Sequence, residues 1–232
     1  MKTITAETEE ALALAAEQVR ELVQRKPDAV LALAAGRTAA ALYARLGRLC
    51  AEGSLSLKDC RVFAVTEFVG GREELSCRRM LEDSLIGATD LRGENCFFLS
   101  EETLADYDAR IAAAGGIDLA VLGLGANAHI GYNEPATPFD TLTHRQKLTD
   151  ATKRQNAALF GSEAEVPDYA LTMGIRTLVF AREILLLALG EEKAEAAFRM
   201  LYGRNDSSVP AAFLQIPSRV TVYLDRAAAA KL

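Results

Sequence analysis

The chain has 232 residues, half of them hydrophobic and a quarter charged, enough for one sizeable α/β core and too apolar for wholesale disorder. A net charge of −6 argues against a surface that binds nucleic acid by neutralising phosphates. It leaves a small anionic substrate open, because a local patch of amides and one or two cations outweighs the global field.

In chain order, Met1 to Gln18 carries five acidic or amide side chains within a helical pattern. No basic segment precedes an apolar core there, so the stretch does not read as a signal peptide. Leu12, Ala15, Val19, Leu22 and Val23 predict a helix over Thr8 to Lys26, and Ala29 to Ala34 a buried strand. The cycle repeats: a helix over Thr38 to Ala51 and a strand over Arg61 to Val65, then a helix over Ser76 to Ile86 and an extended piece at Cys96 to Leu99. A helix over Leu104 to Ala114 follows and ends at Gly115-Gly116. Ile117 to Leu122 and Ile184 to Leu189 are the most apolar strands, Val220 to Leu224 is the last, and Ala227 to Ala230 reads as a terminal helix. Continuous apolar strands alternating with amphipathic helices predict an α/β fold: a mostly parallel central sheet with helices on both faces, a Rossmann-like three-layer arrangement. No linker or repeat divides residues 1–232, so one domain is expected. No apolar run reaches the ~18 to 20 residues that span a bilayer, and a cytoplasmic protein without membrane or nucleic-acid partners is expected.

Cys50, Cys60, Cys77 and Cys96 form no CxxC pair, which points to reduced, partly buried thiols. The two histidines, His129 and His144, lie well apart in sequence. Neither a metal nor an organic cofactor is implied.

Parallel sheets bind ligands beyond the carboxyl ends of their strands, which directs attention to Ala34 to Thr38 (AAGRT), Thr66 to Gly71 (TEFVGG) and Gly123 to Pro135 (GLGANAHIGYNEP). In the third loop His129 and Glu134 follow a buried strand, and a carboxylate that engages one ring nitrogen leaves the other free for proton transfer. A capping histidine and a surface glutamate fit the same spacing. The amides around Gly36 to Thr38 open a helix and suit a phosphate. Lys193 follows the strand ILLLALG and either reaches the same crevice or is a solvated lysine at a helix start.

Together these loops resemble the glucosamine-6-phosphate deaminase/isomerase family, whose fold also includes 6-phosphogluconolactonases. GGIDLAVLGLGANAHIGYNEP at Gly115 to Pro135 is similar to that family's GGIDLxxxGxGxDGHIAFNEP, and VPDYALTMG at Val166 to Gly174 to its VPxYALTxG. ALGEEKA, LALAAGRTAAALYARL and VTEFVGG extend the likeness over nearly the whole chain. HIGYNEP favours the deaminase/isomerase branch over the lactonases, and ALGEEKAEAAFRML with VPAAFLQI also resembles the galactosamine-6-phosphate branch, which tolerates asparagine at the place of Asn127.

The resemblance implies ring opening of an amino-sugar phosphate by His129, with Glu134 and Asn127 orienting it, then proton transfer from C2 to C1 and release of ammonia. It also implies a phosphate cradle of Ala35, Gly36, Arg37 and Thr38 beside Lys193. The chain departs from the pattern where it matters chemically. Thr66 stands where the family has its proton-abstracting aspartate, and an alcohol is too weak a base for a carbon-bound proton. Glu67 is the nearest carboxylate. Ala35, Arg37 and Ala39 replace threonine, glycine and proline of the phosphate loop, Ala158 replaces an arginine that Arg37 compensates, and Asn127-Ala128 replace aspartate and glycine. Three functions follow: a deaminase/isomerase with an altered base, a lactone hydrolase that needs no C2 base, or a sugar-phosphate binding protein. The expected partner is a phosphorylated hexosamine or hexose, and the expected state a monomer or small homo-oligomer.

Overall fold

The two most apolar runs become the middle of a sheet. In the computed structural model, which describes residues 1–232, β6 (Leu119–Gly123) pairs with β9 (Glu183–Ala188) on one side and β2 (Val30–Leu33) on the other. β1 (Lys2–Ala6), β3 (Arg61–Ala64), β5 (Cys96–Phe97) and β10 (Val220–Asp225) complete a seven-stranded sheet in the order β1-β10-β9-β6-β2-β3-β5. Every pairing in it is parallel.

Period-two alternation sends neighbouring side chains to opposite faces. Leu31, Leu33, Leu119, Val121, Leu185 and Leu187 meet α1 (Thr8–Arg25), α2 (Arg37–Ala51) and α3 (Cys77–Ser84) on one face. Ala32, Phe63, Ala120, Leu122 and Leu186 meet α4 (Tyr107–Ala113), α6 (Ile175–Val179) and α7 (Ala194–Tyr202) on the other. This is the three-layer α/β fold expected from the sequence. Leu119 and Leu122 are at most 1% exposed, and burying each contributes ~2 kcal/mol. No helix is long and apolar enough to cross a membrane.

A second, three-stranded antiparallel sheet was not expected: β4 (Thr66–Phe68), β8 (Tyr169–Thr172) and β7 (His144–Lys147), with β8 in the centre. It shares a small core with α5 (Asp150–Phe160), formed by Phe68, Cys77, Tyr132, Phe160 and Ala170. Two expectations are corrected. Lys2–Ala6 is an edge strand rather than part of a helical N-terminus, because β10 offers it a parallel partner and only Ile4 and Ala6 turn inward. Ala227 to Ala230 form turns, not a helix, since Asp225 accepts the Ala228 N–H at 2.8 Å and four alanines cannot offset helix nucleation.

From β2 the chain moves to β3 on one side, and from β6 it moves to β9 on the other. The crevice between the carboxyl ends of β2 and β6 is therefore the topological switch point, where such sheets bind ligands.

Candidate active site

The loop leaving β6 folds back on itself through a bridge between Ile130 and Asn133. Gly125 accepts the ring of His129 against its α-carbon: a Cβ there would lie 2.4 Å from Nε2 and Cε1. Ala128 adopts φ 66°, left-handed backbone that a side chain tolerates only at some cost, and is held by bonds to Gly125 and Ala211. Strain at this residue is the structural counterpart of alanine standing where the family pattern has glycine.

That backbone buries His129 and Glu134 to 5% and 2% exposure. Asn127 orders the pair, its Nδ2 donating to Glu134 Oε2 at 2.7 Å and its Oδ1 accepting the His129 N–H at 3.2 Å. The Thr149 N–H donates to Glu134 Oε1 at 3.0 Å. His129 Nδ1 lies 3.2 Å from Thr152 Oγ1 and 3.8 Å from Glu134 Oε2, so the hydroxyl is its hydrogen-bond partner and the carboxylate its counter-charge. Burial pushes the Glu134 carboxyl up, but the His129 ring, the Thr152 hydroxyl and the Thr149 N–H outweigh it and hold the pKa at about 2. A permanent negative charge beside Nδ1 favours a proton on that nitrogen. Nε2 is left for a substrate.

α5 supplies three of these supports. Thr149 caps it, Thr152 meets the ring, and Gln155 Oε1 accepts the Ala126 N–H at 2.8 Å. Sequence reasoning did not single out Thr149 or Gln155. The available signal was a capping pattern, threonine at 149 with threonine three residues on.

On the neighbouring strand end, α2 begins at Arg37 with Gly36 (φ 125°) as its cap, no side chain covering its first amides and no acidic residue in its first turn. β9 flanks β6 on the far side, and the turn after it carries Lys193. Lys193 is only 8% exposed. Burial lowers its pKa, Glu192 raises it, and Arg37 lowers it further, which places the two cations in one field. Cations in one field near uncovered helix amides are an arrangement that suits an anion. Ala35 and Thr38 are half-buried beside it, while Ala158 is exposed and brings no charge. A surface cavity of about 490 Å³ lies elsewhere, at the amino-terminal edge of the sheet, where Arg25 and Arg219 face Glu183.

A profile described as glucosamine-6-phosphate isomerases/6-phosphogluconolactonase matches residues 3–223. The chain belongs to this family. A glucosamine-6-phosphate deaminase of Lysinibacillus sphaericus (strain C3-41) is 38% identical, the alignment covering 96% of this chain and 98% of that one. A solved monomeric glucosamine-6-phosphate deaminase superposes with a TM-score of 0.96 at 34% identity, with each chain fully covered. A 6-phosphogluconolactonase of Trypanosoma brucei gives 0.76 at 18% identity, over all of this chain and 98% of that one, a likeness of fold alone.

In this family member the small sheet holds Thr66 opposite Thr172, 6% exposed, with its hydroxyl donating to Cys77 Sγ at 3.5 Å. Glu67 faces the amino terminus of α3. Its Oε1 accepts the N–H groups of Phe68 and Cys77 and its Oε2 that of Arg78, each at 2.8 Å. Burial raises its pKa even so. The geometry makes Glu67 a helix cap, with both oxygens engaged.

Proposed function

We propose that the chain is a deaminase/isomerase of hexosamine 6-phosphates, with glucosamine 6-phosphate as the first candidate and galactosamine 6-phosphate as the second. The observation that carries this reading is the buried His129–Glu134 pair, ordered by Asn127 at the switch point of a deaminase-like fold. The phosphate would sit on the amides of Gly36 to Thr38 beside Arg37 and Lys193. His129 in its imidazolium form, balanced by Glu134, would give the Nε2 proton to the ring oxygen as the C1–O5 bond breaks. Glucosamine 6-phosphate then opens to an aldehyde, whose C2 proton must reach C1 before ammonia leaves. In this reading residues 1–232 act as one domain, in the cytoplasm, as a monomer or small homo-oligomer; the similar deaminase described as monomeric supports the former.

The test is thermal shift with glucosamine 6-phosphate, glucosamine and inorganic phosphate, joined to an ammonia assay. The phosphorylated sugar should stabilise the fold and the free sugar should not. Equal shifts from the two sugars would overturn the phosphate subsite and the reading with it.

A further inference from the structure

The counter-charge of His129 does not touch its ring. Glu134 Oε2 stands 3.8 Å from Nδ1, beyond hydrogen-bond range. The carboxylate is not free to swing closer, because each of its oxygens is already held: Oε2 by the Asn127 amide at 2.7 Å and Oε1 by the Thr149 N–H at 3.0 Å. Thr152 Oγ1, at 3.2 Å from Nδ1, is the one side-chain atom within hydrogen-bond distance of the ring. Thr152 is itself fixed. It is the third residue of α5 and 1% exposed. Its N–H donates to Thr149 Oγ1 at 3.3 Å, the two hydroxyl oxygens are 3.4 Å apart, and its carbonyl accepts the Asn156 Nδ2 at 2.9 Å. A half turn of an imidazole exchanges nitrogen for carbon at nearly constant volume. Packing against Gly125 therefore does not choose between the two orientations, whereas a hydrogen bond at Nδ1 does.

We propose that Thr152 is a positioning residue for the sugar-phosphate reaction, its hydroxyl holding the Nδ1 proton of His129 so that the ring exchanges protons through Nε2 alone. The assignment rests on the function proposed above and adds a residue to it. Proton balance closes within the cluster. Nδ1–H donates to Thr152 Oγ1 and stays on the ring throughout. The hydroxyl's own proton turns toward the Glu134 carboxylate, which it helps to keep ionised. Only the Nε2 proton leaves for the substrate oxygen and returns. Charge and direction are thus divided between two side chains: Glu134 stabilises the imidazolium, and Thr152 decides which nitrogen gives its proton up.

Nitrogen NMR on ¹⁵N-labelled protein reads the ring without any substrate. The chain has only two histidines, so His144→Gln leaves a single imidazole to assign. At a pH where the ring is neutral, the parent should show Nδ1 protonated and Nε2 unprotonated. Thr152→Ser should keep that pattern, and Thr152→Val should lose it to a mixture of tautomers, with melting curves confirming that each variant is folded. In ammonia release from glucosamine 6-phosphate, Thr152→Val should lower kcat on the order of 10- to 100-fold, the span that one buried donor left unpaired corresponds to. KM should stay at the parent value, because the proposed phosphate loops follow β2 and β9, and Thr152→Ser should recover most of the rate. An unprotonated Nδ1 in the parent would overturn the role of Thr152 even where the valine variant does not fold. The parent tautomer or the parent kcat persisting in Thr152→Val would do the same. Each of these results leaves the proposed reaction standing. Neither thermal shift nor ammonia release with glucosamine 6-phosphate in the parent would overturn both.

Discussion

Replacing Thr66 with aspartate restores a carboxylate at a position 6% exposed to solvent. Its neighbour Glu67, on the opposite face of the strand, is pushed up by burial despite three N–H donors. An aspartate at 66 inherits none of those donors, so burial should raise it by ~2 units from ~3.9 to ~6. That carries two consequences of opposite sign. At neutral pH, above both the folded and unfolded pKa, the raised value destabilises the fold by ~3 kcal/mol at ~1.4 kcal/mol per unit. The variant is nonetheless mostly ionised at pH 7.5, and a positioned base contributes ~10²- to 10⁴-fold, so ammonia release from glucosamine 6-phosphate should rise ~10²-fold, the lower figure because base geometry tolerates little error. The rate of the variant should climb as pH passes through ~6, the pKa expected for this buried aspartate. Thr66→Asn, of equal size and without basicity, should gain nothing. Ammonia release at saturating substrate, with melting curves as the control for folding, reads all three. A parent as fast as the aspartate variant would refute the reasoning, as would no gain in a variant that still binds substrate.

The sheet was legible because its central strands are buried on both faces, and VLAL in β2 or ILLLA in β9 can be little else. The small sheet was not, because HRQK in β7 is polar and alternately exposed, and its ladder is supplied by β8, twenty-two residues on. The same asymmetry holds in the site. His129 and Glu134 share one loop, so spacing suggested the pair while leaving a capping histidine and a surface glutamate open; Asn127 joined them only through the family resemblance. Glu67 took its place from α3, ten residues away, whose amides no local pattern announces. Lys193 sits in the acidic run Glu191–Lys193 and reads as a solvated helix start; only the sheet order, which sets β9 against β6, buries it beside Arg37's field.

Three further outcomes test the remaining geometry. Glu134 has its folded pKa depressed from 4.5 to about 2, so it contributes stability present above pH 4.5 and lost as pH falls toward 2. Glu134→Gln should flatten urea-measured stability across that window, where the parent loses ~3 kcal/mol at ~1.4 per unit; a parallel decline in both proteins would remove the ion pair from the account. Lys193→Ala and Arg37→Ala should each weaken glucosamine 6-phosphate ~10-fold or more in calorimetry, since a charged hydrogen bond contributes ~1.5 to 3 kcal/mol, and unchanged affinity in both would place the anion elsewhere. Gly125→Ala addresses the ring itself. The new methyl would come within 2.4 to 2.5 Å of Cε1, Nε2 and Cδ2 of His129, far inside contact distance, and the ring cannot swing aside without leaving Thr152 and Glu134. Overpacking of this kind costs ~1 to 3 kcal/mol, and a displacement near 1 Å costs ~10²-fold in rate. Gly123→Ala, where an added methyl meets nothing within 4 Å, is the matched control. Binding at the proposed phosphate loops after β2 and β9 should survive in both, while His129-dependent turnover of glucosamine 6-phosphate should collapse in Gly125→Ala alone. Equal turnover in the two variants would mean that the ring does not act from the position it holds against Gly125.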